Sequence, residues 1–184
     1  LNEREKLATL YGEAEVTGIV EEIVGAKFYE VTKEKDTVAL EEFLSHLGKY
    51  YPKVERREEV SIFIQLGFAL ATEQYLTFVG LVKEAIADER LDENVLNDYA
   101  WELYQKCDDE AALQAALEWM SFVDNPDADF NYVDTYAALA YKLKKYKLAK
   151  KYALKSIEMG KVKDGDVSGT EELLEKIEEE LAKG

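Results

Sequence analysis

The sequence predicts an all-α protein built from antiparallel helix pairs. Its long stretches are rich in Ala, Leu, Glu and Lys, which favour helices. The only two prolines, Pro52 and Pro126, lie between apolar-periodic segments, where proline is tolerated. Apolar residues recur at intervals of three and four positions, the period of an amphipathic helix, and no alternating pattern is long enough to indicate a sheet. A chain of 184 residues is long enough to bury a core.

This periodicity predicts about nine helices. Apolar stripes indicate the first four within residues 16–31, 38–47, 60–70 and 76–86. The stripes include Ile19 and Ile23 in the first, Val38 in the second, Phe63 in the third and Leu76 in the fourth. Asp92 is a good N-cap for the fifth helix, and residues 112–120 form the sixth. The seventh and eighth lie within 132–158, and the ninth begins at Ser168-Gly-Thr-Glu171, a capping-box pattern.

A repeat of 37 residues joins the fifth and sixth helices to the seventh and eighth. The identical pairs are Tyr99/Tyr136, Ala100/Ala137, Tyr104/Tyr141, Ala112/Ala149, Ala116/Ala153 and Leu117/Leu154. One constant offset therefore covers two helices and their turn. We expect the paired alanines to let helices approach closely and the tyrosines to fill the space between neighbouring pairs.

The stretch "DTYAALAYKLKKYKLAKKYALKSIE" resembles a tetratricopeptide helix pair. That pattern has a small residue at its eighth position, an aromatic residue at its seventeenth and alanine at its twentieth, and these correspond to Ala137, Tyr146 and Ala149. The chain departs from the pattern at Ser156, where alanine is usual, and at Lys144, where the family has a turn glycine. The resemblance implies helix pairs stacked in a right-handed superhelix.

A second resemblance runs from about residue 97 to residue 177. The segments "NDYAWELYQKCDDEAALQAALEWM" and "DVSGTEELLEKI" flank the stretch just quoted. Together they resemble the helical C-terminal region that follows a thioredoxin domain in proteins of Bacteroidetes-type bacteria. The sequence itself contains no CxxC motif and no βαβ pattern. The resemblance implies an accessory helical region of a thioredoxin-like protein.

The charge and hydropathy of the chain argue against nucleic acids and membranes as partners. The net charge is −16, which repels nucleic acids and anionic membranes at long range, and no apolar run approaches the ~20 residues of a membrane span. Residues 132–158 are an exception, with seven lysines and two acidic residues. We expect these lysines mainly to face water. The alternative is docking of an acidic segment, for which the chain's own Glu-rich last helix is one candidate.

Motifs for catalysis, cofactors or metals are missing from the sequence, so we predict a non-enzymatic region with no cofactor. His46 is the only histidine, and it shares a predicted helix face only with Glu42. Cys107, the only cysteine, precedes three acidic residues that oppose thiolate formation. The sequence has no signal-peptide pattern and begins at Leu1, so we expect an upstream segment in the natural protein. The compartment stays open between the bacterial periplasm and the cytoplasm.

The candidate binding residues lie on the first helix of each pair, which lines the groove in tetratricopeptide-like arrays. They are Asn94, Asn97, Trp101, Tyr104, Asn131, Asp134, Tyr141 and Lys142. Aromatic rings, amides and one lysine suit a protein or peptide partner. The alternatives are a structural or homo-oligomerising element and a helical domain with a small-molecule or enzymatic pocket. We predict one domain over 1–184, with N-terminal helices in 1–52, three helix pairs in 53–160 and a capping helix in 166–184.

Overall fold

The computed structural model describes residues 3–125 and 127–183, which form ten α-helices and no β-strand. The predicted all-α class is therefore confirmed. The helices are α1 (Glu3–Tyr11), α2 (Glu13–Glu34), α3 (Thr37–His46), α4 (Val54–Ala71), α5 (Tyr75–Ala87), α6 (Glu93–Lys106), α7 (Glu110–Trp119), α8 (Phe130–Lys142), α9 (Tyr146–Val162) and α10 (Ser168–Lys183). Short 3₁₀ segments follow α3 and α7, at Leu47–Lys49 and Met120–Asp124. Pro126, a predicted helix boundary, lies outside the described residues.

Contacts divide the chain into two compact units, Leu1–Ala85 and Ile86–Gly184. The prediction of a single domain over 1–184 stays a prediction. The same holds for the first of the three predicted helix pairs, α4 with α5, because α5 crosses the boundary between the units. The two later pairs both lie within the second unit.

The first unit is held together by an apolar core that α2, α3 and α4 share. Its buried residues are Val16, Val20, Val24, Phe43, Leu47, Tyr51 and Ile64. Helix α1 packs on α2, where Arg4 pairs with Glu13 at 2.6 Å and donates a hydrogen bond to Thr17 at 3.1 Å. The sequence did not predict α1, because its nine residues carry no apolar stripe. With α1, the described residues form one helix more than the nine that the sequence predicts.

Several residues of the predicted apolar stripes are exposed. In α2, Val16, Val20 and Val24 are buried, whereas Ile19 and Ile23 keep 49% and 45% of their surface exposed. The buried residues form one line at i, i+4 spacing, and the isoleucines lie on the neighbouring line of the helix. The stripe of apolar residues spaced three and four positions apart is therefore wider than the side of α2 that is buried. The other exposed stripe residues are Val38, Phe63 and Leu76.

The second unit contains the 37-residue repeat as two antiparallel hairpins, α6/α7 and α8/α9. Near the end of α9, the Ser156 hydroxyl donates to the Phe130 carbonyl at the start of α8, at 2.8 Å. Between α6 and α8, Tyr132 donates to Asn94 near the helix starts, and Lys142 Nζ donates to the Tyr104 carbonyl near the helix ends. Equivalent ends therefore meet, and the first helices of the two hairpins run parallel.

Small residues sit where the hairpins close. Ala112, Ala116, Ala149 and Ala153 are all fully buried, as the repeat predicts. Their complete burial agrees with the role expected for them, and the close approach of the helix backbones stays a prediction.

Among the described residues, aspartates serve as N-caps for helices α3, α6, α7 and α8. The predicted N-cap Asp92 accepts a hydrogen bond from the Val95 amide at 3.0 Å, and Asp36, Asp109 and Asp129 act in the same way. The predicted capping box at the last helix is wrong, because Ser168 is the first residue of α10 and not its cap. Instead, the Asp166 side chain accepts a hydrogen bond from the Ser168 amide at 3.0 Å. Hydrogen bonding from Ser168 lowers the pKa of the Asp166 carboxyl group.

Helix α10 packs against α9 and α8 and buries Thr170, Leu173 and Ile177. Val167, which directly precedes the helix, is buried as well. Its glutamates pair with lysines of α9, with Lys150 to Glu178 and Lys161 to Glu171 both at 2.7 Å. This is the alternative in which the lysines meet the chain's own last helix. Lys155 Nζ instead donates to the Val123 carbonyl at 2.6 Å. Lys150 and Lys155, which belong to the lysines of 132–158 that we expected mainly to face water, therefore link neighbouring segments. Lys161 lies just beyond that range and makes a similar contact.

Candidate functional site

The candidate site is the surface that α6 and α8 share, here called the α6/α8 face. Asn97, Trp101 and Tyr104 lie on one side of α6 at i, i+4, i+7 spacing, and Asp134, Ala138 and Tyr141 are their counterparts on α8. The parallel packing of α6 and α8 brings the two sets together. The Tyr104 hydroxyl lies close enough to Asp134 and Tyr141 for both to act electrostatically on it, and together with burial they raise its pKa.

Aromatic rings make up much of this face. The ring centroids of Trp101 and Tyr104 are 5.0 Å apart with the planes tilted by 33°, and those of Tyr141 and Tyr146 are 5.8 Å apart. Trp101 keeps 37% of its surface exposed, whereas Tyr104 and Tyr141 are half-buried. Trp101 is therefore the side chain that a ligand on this face would meet most fully.

Lys142, another predicted groove residue, is engaged within the chain. Its Nζ donates to the Tyr104 carbonyl at 2.7 Å, pairs with Asp108 Oδ1 at 3.0 Å and lies 5.8 Å from the Tyr104 ring centroid. The Tyr104 carbonyl belongs to the last turn of α6, where a lysine offsets the negative end of the helix dipole. Lys142 therefore ties α8 to the end of α6.

Asn94 and Asn131 lie at the opposite end of the face, in the first turns of their helices. Asn94 accepts a hydrogen bond from the Tyr132 hydroxyl, and Asn131 Nδ2 donates to its own N-cap, Asp129, at 2.8 Å. Both side chains thus have local partners at the helix starts. Without these two residues and Lys142, five predicted residues remain at the centre of the α6/α8 face: Asn97, Trp101, Tyr104, Asp134 and Tyr141.

Asp134 is the unusual group of the α6/α8 face. Burial raises the pKa of its carboxyl group, and the nearby Thr170 side chain of α10 only partly offsets this shift. Its Oδ1 atom is buried without a hydrogen-bond donor among the described residues, as is Oδ1 of Asn97, the equivalent residue one repeat earlier. Thr170 could not be predicted as a neighbour of Asp134, because the two residues are 36 positions apart on helices that are neighbours only in the folded chain.

We expect Asp134→Asn to stabilise the protein at neutral pH. An asparagine has nearly the same shape and still offers a polar oxygen to the nearby Thr170, and it removes the cost of burying a charge. The pKa of Asp134 is raised in the folded protein. The cost is therefore absent at low pH, where Asp134 is protonated in both the folded and the unfolded protein. It develops as the pH rises through the raised pKa. Thermal melts across pH 3–8 should show the gain at neutral pH and its loss in acid.

The matched control for this prediction is Asp98→Asn, which removes the same charge from an exposed position on α6. It should change the melting temperature little at any pH, since surface substitutions have small effects. A loss of stability in Asp134→Asn at pH 7 would contradict the account, because it would mean that the ionised carboxylate already has a favourable partner in the fold.

The first unit contains a separate cleft between α2 and α3, with a volume of about 440 Å³. Its lining includes the apolar side chains of Ile23, Phe43 and Tyr50, with Glu42 and His46 among the polar residues. His46 and Glu42 therefore line the same cleft, in agreement with their predicted shared helix face.

The cysteine and the acidic side chains that the structure describes lack the surroundings that thiol or metal chemistry requires. Cys107 is fully buried at the end of α6, and burial raises the pKa of its thiol, which disfavours the reactive thiolate. Among the residues that the structure describes, no three His, Cys, Asp or Glu side chains are grouped so that they could hold a metal ion. Over the same residues, no helix combines the length and the apolar character required to cross a bilayer.

Comparisons of the chain with protein-family models, with curated proteins and with solved structures found no significant match.

Proposed function

We propose that this chain is a non-catalytic interaction module that binds an extended polypeptide segment along the α6/α8 face. In this proposal the helix pairs form a right-handed tetratricopeptide-like superhelix, and α10 closes it as a capping helix. The natural context is an accessory region of a thioredoxin-like protein, where the module would position a partner or a substrate protein for the redox domain. Binding then depends on shape and polar complementarity alone.

The exposed Trp101 ring is the observation that carries the proposal. It packs at a tilt against the ring of Tyr104, whose hydroxyl is influenced by Asp134, on a face formed by two parallel first helices of a repeat. Aromatic side chains with a few oriented polar groups are typical of binding hot spots. Repetition in register, with Tyr104 and Tyr141 at equivalent positions, provides similar contacts along the length of an extended ligand.

A homo-oligomerising element is the second candidate. Leu10, Tyr11, Tyr29 and Val38 of the first unit are each exposed over more than half of their surface, and such residues are enriched where surfaces associate. Sedimentation velocity at increasing protein concentration tests this candidate. A single monomeric species throughout would remove it, whereas a concentration-dependent dimer that Leu10→Ser plus Val38→Ser dissolves would favour it.

The double variant Trp101→Ala plus Tyr104→Ala should lose the partner while retaining the fold. Truncating two aromatic hot-spot residues costs at least about 2 kcal/mol of binding free energy, so affinity should fall roughly thirtyfold or more. A pull-down from native extract, followed by titration of the recovered partner, measures this. Circular dichroism and a thermal melt establish that the variant is folded.

Leu154→Ala is the matched control for the double variant. Leu154 is an apolar residue of α9 with 48% of its surface exposed, and it lies on a second helix of a pair rather than on the α6/α8 face. Its truncation should leave partner recovery unchanged. If the folded double variant retains every partner of the wild type, the proposed groove is wrong.

A further inference from the structure

We infer that the α6/α8 face accepts a cationic side chain, an arginine or lysine of the bound segment, against Asp134 and the Trp101–Tyr104 pair. The inference rests on the proposed function and deepens it, because it specifies the residue class that the groove selects. The partner is thus a basic extended segment of polypeptide.

The first ground is the hydrogen-bonding state of Asp134. This carboxylate is half-buried and has no ion pair with a lysine or arginine among the described residues. Its Oδ1 atom is buried without a hydrogen-bond donor among those residues. A half-buried carboxylate of this kind is most stabilised by a cation that also donates hydrogen bonds, as guanidinium and ammonium groups do.

The second ground is the aromatic pair beside this carboxylate. Cations bind over the faces of Trp and Tyr rings within about 6 Å of the centroid. The Tyr104 ring already has one such contact, with Lys142 Nζ at 5.8 Å, and the more exposed Trp101 ring packs against it at a tilt. Lys142 does not neutralise Asp134, because its ion pair is with Asp108. An incoming cation therefore meets aromatic surface and a carboxylate together.

The third ground is that acidic residues concentrate around α6, whereas most lysines of the second unit lie on α9 or in the turn before it. Nine acidic and two basic residues lie within 88–110, which includes α6, and give that segment a net charge of −7. Helix α8 contains one lysine, Lys142, whereas the other lysines of 132–158 lie on α9 or in the turn before it. The α6 side therefore attracts basic segments and repels acidic segments and nucleic acids.

Selection of random twelve-residue peptides on the wild-type chain tests the inference directly. The enriched peptides should contain arginine or lysine. In the strongest binder, replacing that residue by norleucine should weaken binding to the wild type roughly tenfold or more, the effect of losing a hydrogen bond to a charged group. The same replacement should change binding to Asp134→Asn by less than about twofold, because the two changes remove one interaction.

Asp98→Asn provides the control for charge alone, since it should preserve the full norleucine effect. If peptides bind in a manner that Trp101→Ala plus Tyr104→Ala abolishes, but without a basic residue or without dependence on Asp134, the cation inference is overturned and the groove stands. If no peptide binds the wild type more tightly than it binds the double variant, both the inference and the proposed function are overturned.

Discussion

Removing α10 should destabilise the protein severely. A chain ending at residue 165 loses the side chains that α10 buries against α8 and α9, including Leu173 and Ile177. Each large apolar side chain contributes about 1.5–3 kcal/mol when fully buried, and the surface of α9 that α10 covers would be exposed as well. The total loss is about 5 kcal/mol or more, which is comparable to the whole stability of many domains.

The truncated chain should melt at least about 10 °C below the full chain and should aggregate. It also loses Thr170, a polar neighbour of the Asp134 carboxylate. The exposed apolar surface should increase the fluorescence of a hydrophobic dye. Differential scanning calorimetry and light scattering at equal concentrations measure both effects.

The single variant Ile177→Asp tests the same contact without shortening the chain. Ile177 is fully buried, so an unpaired carboxylate there should destabilise nearly as strongly as the truncation. Glu175→Ala, at an exposed position of the same helix, is its control. A truncated chain that melts like the full chain would rule out capping by α10.

Gly160→Ala should also destabilise the protein, although alanine favours helices. Gly160 is a buried residue of α9, and an added Cβ would collide with Val167 Cγ1 and lie 3.1 Å from Phe130 Cδ2. Alanine gains up to about 1 kcal/mol of helix propensity at an interior glycine. Overpacking costs about 1–3 kcal/mol, and it should dominate here because the β-branched Val167 has few rotamers to adopt.

The expected net loss for Gly160→Ala is about 1–2 kcal/mol, with a melting temperature lower by roughly 3–8 °C. Gly169→Ala is the matched control, since Gly169 is an exposed helical residue of α10 and no atom lies within 4 Å of its added Cβ. That variant should be as stable as the wild type or slightly more so. Equal melting temperatures for the two variants would show that the contact of α9 with Val167 and Phe130 is looser than described.

The sequence pattern was sufficient to predict the helices of the two hairpins in the second unit, because the repeat there is both local and regular. The offset of 37 residues placed Ala112 and Ala149 in equivalent buried positions, and Tyr104 and Tyr141 on one face. Each hairpin forms from neighbouring segments, so periodicity alone predicts its helices. Asp92 as an N-cap was predicted for the same reason, because capping depends on a few adjacent residues.

The features that sequence did not predict depend on tertiary contacts or on a weak pattern. Helix α1 has no apolar stripe, and the exposure of Ile19 depends on how much of α2 its neighbours cover. Lys142 belongs to the predicted groove, but its partners, Tyr104 and Asp108, lie one repeat away. The proximity of Asp134 to Thr170 likewise requires α8 and α10 to be neighbours.

Site-specific photo-crosslinking tests the central claim, that the α6/α8 face binds a polypeptide, most directly. A benzoylphenylalanine would replace Trp101 on α6 in one protein and Leu154 on α9 in a second, since both positions are exposed. After irradiation in native extract, position 101 should yield a discrete adduct with a partner polypeptide, and position 154 should not. Adducts at position 154 alone, or the same adducts at both positions, would contradict binding at this face.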